Sequence, residues 1–333
     1  MNFIGVGDLH FRKLDNLIPD ASYKIAQCLH RVLGYALNHG VQTVLFYGDI
    51  CEFPRLDYKS EVALYSVLLD PKYRDLDLHF VLGNHDFEED GAHSLEVMQV
   101  IAKACKVNFT VYTKAQKVKL EGERFSMLPY PFTDTEAKCI NVGHFETKGS
   151  LRDNGKVIDD GVETDHHGVM GHLHTNHQVR NFWYSGTLYQ TNFGESEKKF
   201  FHHCKVRDGR LKVSNIPFES PWILRNVKVS APEDVHVLEK SDRILYKLFV
   251  KNGVDLDVEA LMTKYPNIVK SNFFKTKQEL QLMVSDGWKL DKDLIEQSVA
   301  VIDERAVVRK WLGTKLDQKQ VKRGIQILDS LQR

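Results

Sequence analysis

The stretch Gly83-Asn84-His85-Asp86 decides the fold of this chain, because it places an amide, an imidazole and a carboxylate directly after a predicted strand. Residues 76–82, which precede it, form an apolar run that is typical of a buried strand. Gly83 allows the tight turn at which such a strand ends. Folding alone gives no reason to crowd polar side chains at a buried strand end, since each needs a partner, so the stretch predicts a metal site.

The same order of strand, glycine and ligand-type side chain occurs at four more places. The side chains that follow those glycines are Asp8 and His10, Asp49, His144, and the pair His172 and His174. In layered α/β folds, functional sites gather at the carboxyl ends of strands. We therefore expect the five strand ends to converge on one site.

The first third of the chain alternates predicted strands with amphipathic helices. Helices are predicted at residues 23–39, 59–69 and 94–104, with Ser94 as the N-cap of the third. Short strands follow after residue 109, and a hairpin is predicted with its turn at Asp208-Gly209. The β-α-β-α-β alternation predicts an α/β layer fold.

Two prolines, Pro217 and Pro221, mark a predicted domain boundary. We expect residues 1–218 to form the metal-bearing domain and residues 219–288 to form a small α+β capping domain. Residues 289–333 are predicted to form a C-terminal segment of two helices, each with an apolar seam.

Composition narrows the class of protein. Hydrophobic residues make up 42% and charged residues 27% of the 333 residues, which is ordinary for a globular protein, and no apolar run approaches the ~20 residues of a membrane span. The formal net charge of zero argues against a strongly basic nucleic-acid coat but leaves a local basic groove open.

Two further features bear on the compartment. The five cysteines are scattered and odd in number, which disfavours a disulfide framework or a thiolate zinc site and favours a reducing compartment. The first motif begins so close to Met1 that we expect no secretion signal. We therefore expect a cytoplasmic protein, in the host cytoplasm if the chain is viral.

The candidate ligands form a mixed set of nitrogen and oxygen donors. The set contains two carboxylates, four imidazoles and one amide: Asp8, His10, Asp49, Asn84, His144, His172 and His174. Such donors suit Mn, Fe or Zn better than Ca or Mg. Their number exceeds what one ion needs and fits two ions, about 3.5–4 Å apart, that share a carboxylate. Such a pair polarises a phosphoryl group and generates hydroxide, which is the equipment for hydrolysing phosphate esters.

The ordered motifs resemble those of the calcineurin-like metallophosphoesterases. The blocks are Asp8-x-His10, Gly48-Asp49, Gly83-Asn84-His85-Asp86, Gly143-His144 and Gly171-His172-x-His174. Their spacing, the segment Tyr184-Ser185-Gly186-Thr187 and the layout of the last third resemble the Mre11/SbcD nucleases, most closely the phage recombination-nuclease branch. The resemblance implies a β-sandwich flanked by helices. It also implies a DNA exonuclease on duplex DNA that acts in recombination and repair, with endonuclease activity on single strands left open.

The resemblance further implies two Mn²⁺ ions per subunit. One ion would be held by Asp8, His10, Asp49 and His174, and the other by Asp49, Asn84, His144 and His172, so that Asp49 bridges. His85 would bind no metal; it would stabilise the phosphate or protonate the leaving oxygen. Glu52 stands where archaeal and eukaryotic members often carry a histidine, and our hypothesis is that Glu52 orients His85.

The expected partners are DNA, an ATPase and a second copy of the chain. Arg12, Lys13 and Arg55 follow motif positions and are candidates for contacts with the DNA backbone. The resemblance implies that the C-terminal helices bind an SbcC/Rad50-like ATPase and that the protein forms a homodimer, whereas the apolar seams alone are also compatible with packing on their own domain.

Two alternatives remain open at this level. The first is a phosphatase or small-molecule phosphodiesterase on the same fold, although the Arg-Gly that follows the second block in Ser/Thr phosphatases is absent after Gly48-Asp49. The second is a non-catalytic binding scaffold, against which the intact His85 argues. A phosphatase should cleave a monoester as readily as a diester, and a scaffold should cleave neither.

Overall fold

The computed structural model describes residues 1–88, 91–153 and 155–274. They fall into two compact units. The first contains Met1–Val227, Val237–Leu248 and Asp257–Lys270, and the second contains Lys228–His236, Phe249–Leu256 and the described residues from 271 onward. The predicted boundary at residue 218 stays a prediction. The predicted helices of residues 289–333 lie outside the described residues.

Fifteen strands and four α-helices are assigned in the described part of the chain. The strands are β1 Asn2–Val6, β2 Thr43–Phe46, β3 Asp77–Val81, β4 Asn108–Tyr112, β5 Gln116–Leu120, β6 Glu123–Leu128, β7 Ile140–Gly143, β8 Gly168–Met170, β9 His177–Val179, β10 Phe182–Tyr184, β11 Lys199–Arg207, β12 Arg210–Phe218, β13 Ile223–Val229, β14 Ile244–Lys251 and β15 Ile268–Phe274. The α-helices are α1 Ala21–Asn38, α2 Tyr58–Leu68, α3 Glu96–Ala104 and α4 Val258–Lys264, and short 3₁₀ helices span Pro71–Tyr73 and Pro232–Val237.

Two six-stranded mixed sheets form the main layers. The first has the order β12-β11-β1-β2-β3-β4 and the second the order β5-β6-β7-β8-β10-β9. The neighbours from β1 to β4 are parallel, as their helical crossovers require. A third sheet has the order β13-β14-β15. The α/β layer architecture predicted from the sequence is therefore confirmed.

Alternate residues of β1 and β2 explain how the layers pack. Ile4 and Phe46 belong to the apolar cluster that also contains residues of α1, α2 and α3. Phe3 and Leu45, which point the other way, belong to a cluster shared with the second sheet through residues such as Phe125. Helices cover one face of these parallel strands and the second sheet covers the other. The strands are therefore apolar on both faces and form continuous apolar runs in the sequence.

Some local predictions are confirmed and others need correction. The hairpin of β11 and β12 turns at Asp208 and Gly209, which both have positive φ. Ser94 is not an N-cap: α3 begins at Glu96 with Leu95 at the cap position, and the Ser94 hydroxyl donates to Asp86 Oδ1 at 3.1 Å. Strand β9 was not indicated by the sequence. No disulfide occurs in the described residues, which include every cysteine, as predicted.

Helix length and polarity also bear on membrane insertion. Among the residues that the structure describes, no helix combines the length and apolar character that crossing a membrane requires.

His202 lies fully buried on β11, with its ring 5.9 Å from that of Tyr47. Burial lowers its pKa from 6.5 to about 3, so the unfolded chain takes up a proton before the folded protein does. Stability is therefore lost as the pH falls below 6.5, by about 2 kcal/mol between pH 7 and pH 5.

We expect His202→Leu to remove this pH dependence, because leucine does not titrate. The measurement is urea unfolding of wild type and variant at both pH values. The variant should gain about 2 kcal/mol relative to wild type on going from pH 7 to pH 5. A stability difference that does not change with pH would show that His202 has the same pKa in the folded protein as in the unfolded chain, and would contradict the assigned effect of burial.

Candidate metal centre

The candidate ligands lie just beyond the carboxyl ends of five parallel strands. Asp8, Asp49 and Asn84 follow β1, β2 and β3 of the first sheet, and His144 and His172 follow β7 and β8 of the second. His10 and His174 lie two residues farther along the first and last of these loops. The structure thus brings together the loops that the sequence predicted to converge.

The first cluster is formed by Asp8, His10 and His174, whose ligand atoms all lie within 4.8 Å of one another. The Nε2 atoms of His10 and His174 are 3.0 Å apart. Asp8 Oδ1 accepts the backbone N–H of His172 at 2.9 Å, whereas Oδ2 is buried without a hydrogen-bond partner among the described residues. A buried carboxylate oxygen facing two imidazole nitrogens is the donor set of a divalent cation site.

The second cluster is formed by Asp49, His144 and His172. Asn84 Oδ1 lies 3.1 Å from both His144 Nε2 and His172 Nδ1, so the amide oxygen joins this cluster. Asp49 Oδ2 is 3.2 Å from His144 Nε2 and 3.7 Å from His10 Nε2. This oxygen lies between the clusters, where a bridging ligand must lie.

Each histidine turns one ring nitrogen toward the clusters and the other toward a partner outside them. His10 Nδ1 is 2.8 Å from Glu52 Oε2, and His144 Nδ1 is 2.8 Å from the carbonyl oxygen of Tyr47. Such contacts favour the tautomer that carries its proton on Nδ1 and leaves Nε2 free as a ligand.

The other two histidines have carboxylates as outer neighbours. His174 Nδ1 lies 3.1 Å from Glu195 Oε1 and 3.1 Å from Asp153 Oδ2. His172 faces the second cluster with Nδ1, and its Nε2 is 3.8 Å from Glu146 Oε1, beyond hydrogen-bonding distance. The sequence pattern does not predict these three carboxylates, because none of them follows a strand and a glycine. Only the folded chain reveals them.

Glu52 lies beside His85, but the group that contacts the imidazole differs from the hypothesis. His85 Nδ1 donates to the backbone carbonyl oxygen of Glu52 at 3.0 Å. The Glu52 carboxylate lies 2.8 Å from His10 Nδ1 and 3.0 Å from the Lys13 ammonium, and within 4.8 Å of a ring nitrogen of His85. The main chain of Glu52 therefore contacts His85 and its side chain contacts His10, and a role of Glu52 in orienting His85 stays a prediction.

The ligand loops adopt backbone conformations that few L-residues take. Asp8, His10, Asp49 and His172 have φ values of 42°, 40°, 47° and 80°. Residues with positive φ cost free energy and persist where the surrounding structure holds them, as it often does at functional sites. A Cβ on Gly83 would lie 2.1 Å from Asp49 Oδ1, so only glycine allows this close approach.

Burial dominates the electrostatics of the first cluster. It raises the pKa of Asp8 to about 7 and lowers that of His10 to about 4. Burial also opposes the charge of His174, but its hydrogen bonds to Asp153 and Glu195 outweigh this and raise its pKa to about 10. A divalent cation bound here would place positive charge beside the buried Asp8 carboxylate, whose ionised form burial disfavours.

In the second cluster, the interaction of Asp49 with His144 shifts the pKa values of both residues. Burial alone would raise the pKa of Asp49, but the adjacent His144, His10 and His85 hold it well below its usual range. Burial likewise opposes a charge on His144, and Asp49 outweighs it and raises the pKa of His144 to about 9. Burial lowers the pKa of His172 to about 4.

The three basic residues predicted to contact DNA each have an acidic neighbour. The closest ion-pair distances are 3.3 Å for Arg12 with Asp57, 3.0 Å for Lys13 with Glu52 and 2.6 Å for Arg55 with Glu88. Their charges are therefore partly neutralised within the protein, and their contact with DNA stays a prediction.

The clusters, joined by Asp49, define a metal-binding centre of the kind that hydrolyses phosphoesters. The chain belongs to the calcineurin-like phosphoesterase family, which its residues 1–256 match. A search of curated proteins gave no match. Proteins of this family use divalent metals for hydrolysis, and the donor atoms described here fit such ions.

Asp86 holds two of the ligand loops together. Its Oδ2 accepts the backbone N–H groups of Gly83 and Ile50 at 2.9 and 3.3 Å, and its Oδ1 accepts that of Cys51 at 3.1 Å and the Ser94 hydroxyl. This fully buried carboxylate therefore ties the loop that carries Asn84 and His85 to the loop that carries Asp49.

We expect Asp86→Asn to destabilise the metal-free protein by about 2 kcal/mol at pH 8, because an amide N–H₂ then faces backbone N–H donors. Denaturant unfolding gives the value. Ser94→Ala, which removes one of the donors and leaves the carboxylate, serves as the control and should cost about 1 kcal/mol. Equal midpoints for Asp86→Asn and wild type would contradict the assigned role.

Proposed function

We propose that this protein is a manganese-dependent DNA nuclease of the Mre11/SbcD type that hydrolyses phosphodiesters with two ions. The observation that carries the proposal is the position of Asp49, whose Oδ2 lies between the two clusters, next to the loop of His85. Asp49 Oδ1 accepts the backbone N–H of His85 at 2.9 Å, so the bridging carboxylate and the imidazole are fixed relative to each other.

His85 has the position of a proton donor beside the clusters. It is half-buried, and its ring centroid is 5.1 Å from that of His10. Because Nδ1 is committed to the carbonyl of Glu52, Nε2 is the ring nitrogen left for a substrate. In the imidazolium form, Nε2–H can donate to a phosphate oxygen or to the leaving oxygen.

The remaining residues of the centre would hold the metal ions or orient the histidines. Asp8, His10, Asp49 and His174 would hold one cation, and Asp49, Asn84, His144 and His172 the other. When bound, such a pair polarises the phosphoryl group and supplies hydroxide near neutral pH. The carbonyl oxygens of Tyr47 and Glu52 set the orientation of His144 and His85.

DNA is the substrate that the sequence pattern favours. The motif blocks with their spacing resemble the nuclease branch, and the Arg-Gly typical of Ser/Thr phosphatases is absent after Asp49. The exposed residues Arg207 and Arg210 lie opposite each other on the antiparallel strands β11 and β12, next to the turn of the hairpin. In the register of β1 with β11, Asn2 is opposite Lys205, so the tip of the hairpin lies near the amino end of β1, whereas Asp8 and His10 follow its carboxyl end. Direct contact of the hairpin with the scissile phosphate is therefore not part of the proposal.

The proposal extends to partners and location. The resemblance to the Mre11/SbcD nucleases, together with the apolar seams predicted within residues 289–333, favours an SbcC/Rad50-like ATPase as the partner of a homodimer, in DNA recombination and repair in the cytoplasm. These residues lie outside the described part of the chain, so the support for the partner is the sequence pattern.

We expect the wild-type protein to degrade linear duplex DNA with Mn²⁺ and to stop when a chelator removes the metal. His85→Asn should lower the rate by about 10²–10⁴-fold, since it removes a proton donor and no ligand. Mn²⁺ binding, measured by calorimetry, should be the same in the variant and in wild type. A variant that cleaves DNA at the wild-type rate would exclude the role of His85.

Substrate choice separates the alternatives. If the protein leaves DNA intact even with its partner ATPase, yet hydrolyses a small phosphodiester in a His85-dependent manner, the DNA proposal is wrong and the small-molecule phosphodiesterase replaces it. Equal rates on a phosphomonoester and a phosphodiester would indicate a phosphatase. Metal binding without hydrolysis of any of these substrates would indicate a scaffold.

A further inference from the structure

The two clusters differ in the groups that lie behind their histidines. In the first cluster, both outer nitrogens face carboxylates: His10 Nδ1 is 2.8 Å from Glu52, and His174 Nδ1 is 3.1 Å from Glu195. In the second cluster, His144 Nδ1 faces the uncharged carbonyl of Tyr47, and the carboxylate of Glu146 stays 3.8 Å from His172.

A lysine fixes each carboxylate of the first cluster. Lys13 Nζ lies 3.0 Å from Glu52 Oε2, and Lys199 Nζ lies 2.6 Å from Glu195 Oε2. Glu195 and Lys199 are both buried, and Thr187 donates its hydroxyl to Glu195 at 3.3 Å. These contacts hold both carboxylates in place beside the imidazoles.

The ligands themselves add to this difference. The first cluster contains the carboxylate of Asp8, with a buried oxygen that has no hydrogen-bond partner in the described chain. The corresponding additional ligand of the second cluster is the neutral amide of Asn84. Apart from Asp49, which lies between the clusters, the carboxylates among the ligands and in contact with the outer ring nitrogens are therefore concentrated at the first cluster.

We propose that Glu52 and Glu195 are positioning residues that make the cluster of Asp8, His10 and His174 the tighter of the two divalent-cation sites. A carboxylate that accepts Nδ1–H locks the ring and makes Nε2 a stronger donor to a metal than a neutral carbonyl does. Losing such an outer partner typically weakens metal binding by about 10–100-fold. The inference depends on the metal centre and is independent of whether the substrate is DNA.

The two sites can be assigned by titrating the metal-free, full-length protein with Mn²⁺, using calorimetry and the electron paramagnetic resonance signal of free Mn²⁺. We expect one tight and one weaker class of site. Asn84→Ala should weaken the weaker class and preserve the tight one, and His174→Ala should abolish the tight one. The opposite assignment, or two sites of equal affinity, would overturn the proposal.

Glu52→Gln tests the charge directly, because glutamine keeps the size of the side chain and an acceptor oxygen. We expect Mn²⁺ binding at the tight class to weaken about 10–100-fold while the other class is unchanged. Glu88→Gln is the matched control, since Glu88 is also a partly exposed carboxylate with a cationic partner, Arg55. Equal weakening of both classes, or no weakening, would refute the role of Glu52.

Lys13→Met separates a charge effect from a structural one. Both Lys13→Met and Glu52→Gln break the same ion pair, but Lys13→Met leaves the contact between Glu52 and His10 intact and removes a positive charge near the centre. We expect Lys13→Met to bind Mn²⁺ at the tight class at least as strongly as wild type. Weakening as large as that of Glu52→Gln would mean that the ion pair acts structurally, and the proposal would fail.

Discussion

The carboxylate of Asp49 is the constraint on which the rest of the centre depends. One of its oxygens lies between His144 and His10, and the other accepts the backbone N–H of His85. A carboxylate buried in this way needs nearby positive charge or hydrogen bonds. Without them, the free-energy cost of removing it from water would exceed the free energy that folding gains. The close approach of Gly83 and the positive φ of Asp49 are consequences of bringing that many partners to one side chain.

The layered fold supplies those partners because two sheets deliver strand ends to the same place. The loops after β1, β2 and β3 approach from one sheet and those after β7 and β8 from the other. Asp86 then fixes two loops of the first sheet to each other through their backbone N–H groups. The ligands thus lie on short loops between rigid strands, which keeps their geometry largely independent of the rest of the surface.

The sequence predicted those parts of the site that are encoded locally. A strand, a glycine and a ligand-type residue are adjacent in the chain, so Asp8, Asp49 and Asn84 could be found without any tertiary information. The outer partners could not, because Glu195 meets His174 only through the fold, and the carboxylate of Glu52 also lies 2.8 Å from His10 Nδ1. The incorrect N-cap has the same origin: the Ser94 hydroxyl is drawn to a buried carboxylate that helix patterns do not reveal.

The distribution of charge in the centre also explains why a net charge of zero is compatible with a polyanionic substrate. Arg12, Lys13 and Arg55 all have acidic partners, so little unpaired positive charge of their own is offered to a phosphate. The carboxylates around the histidines instead create a site for cations, and bound cations are often the largest local charges in a site. In the proposed nuclease, the metal ions bound at this centre would attract the scissile phosphate. The overall charge of the sequence therefore carries little information about the substrate.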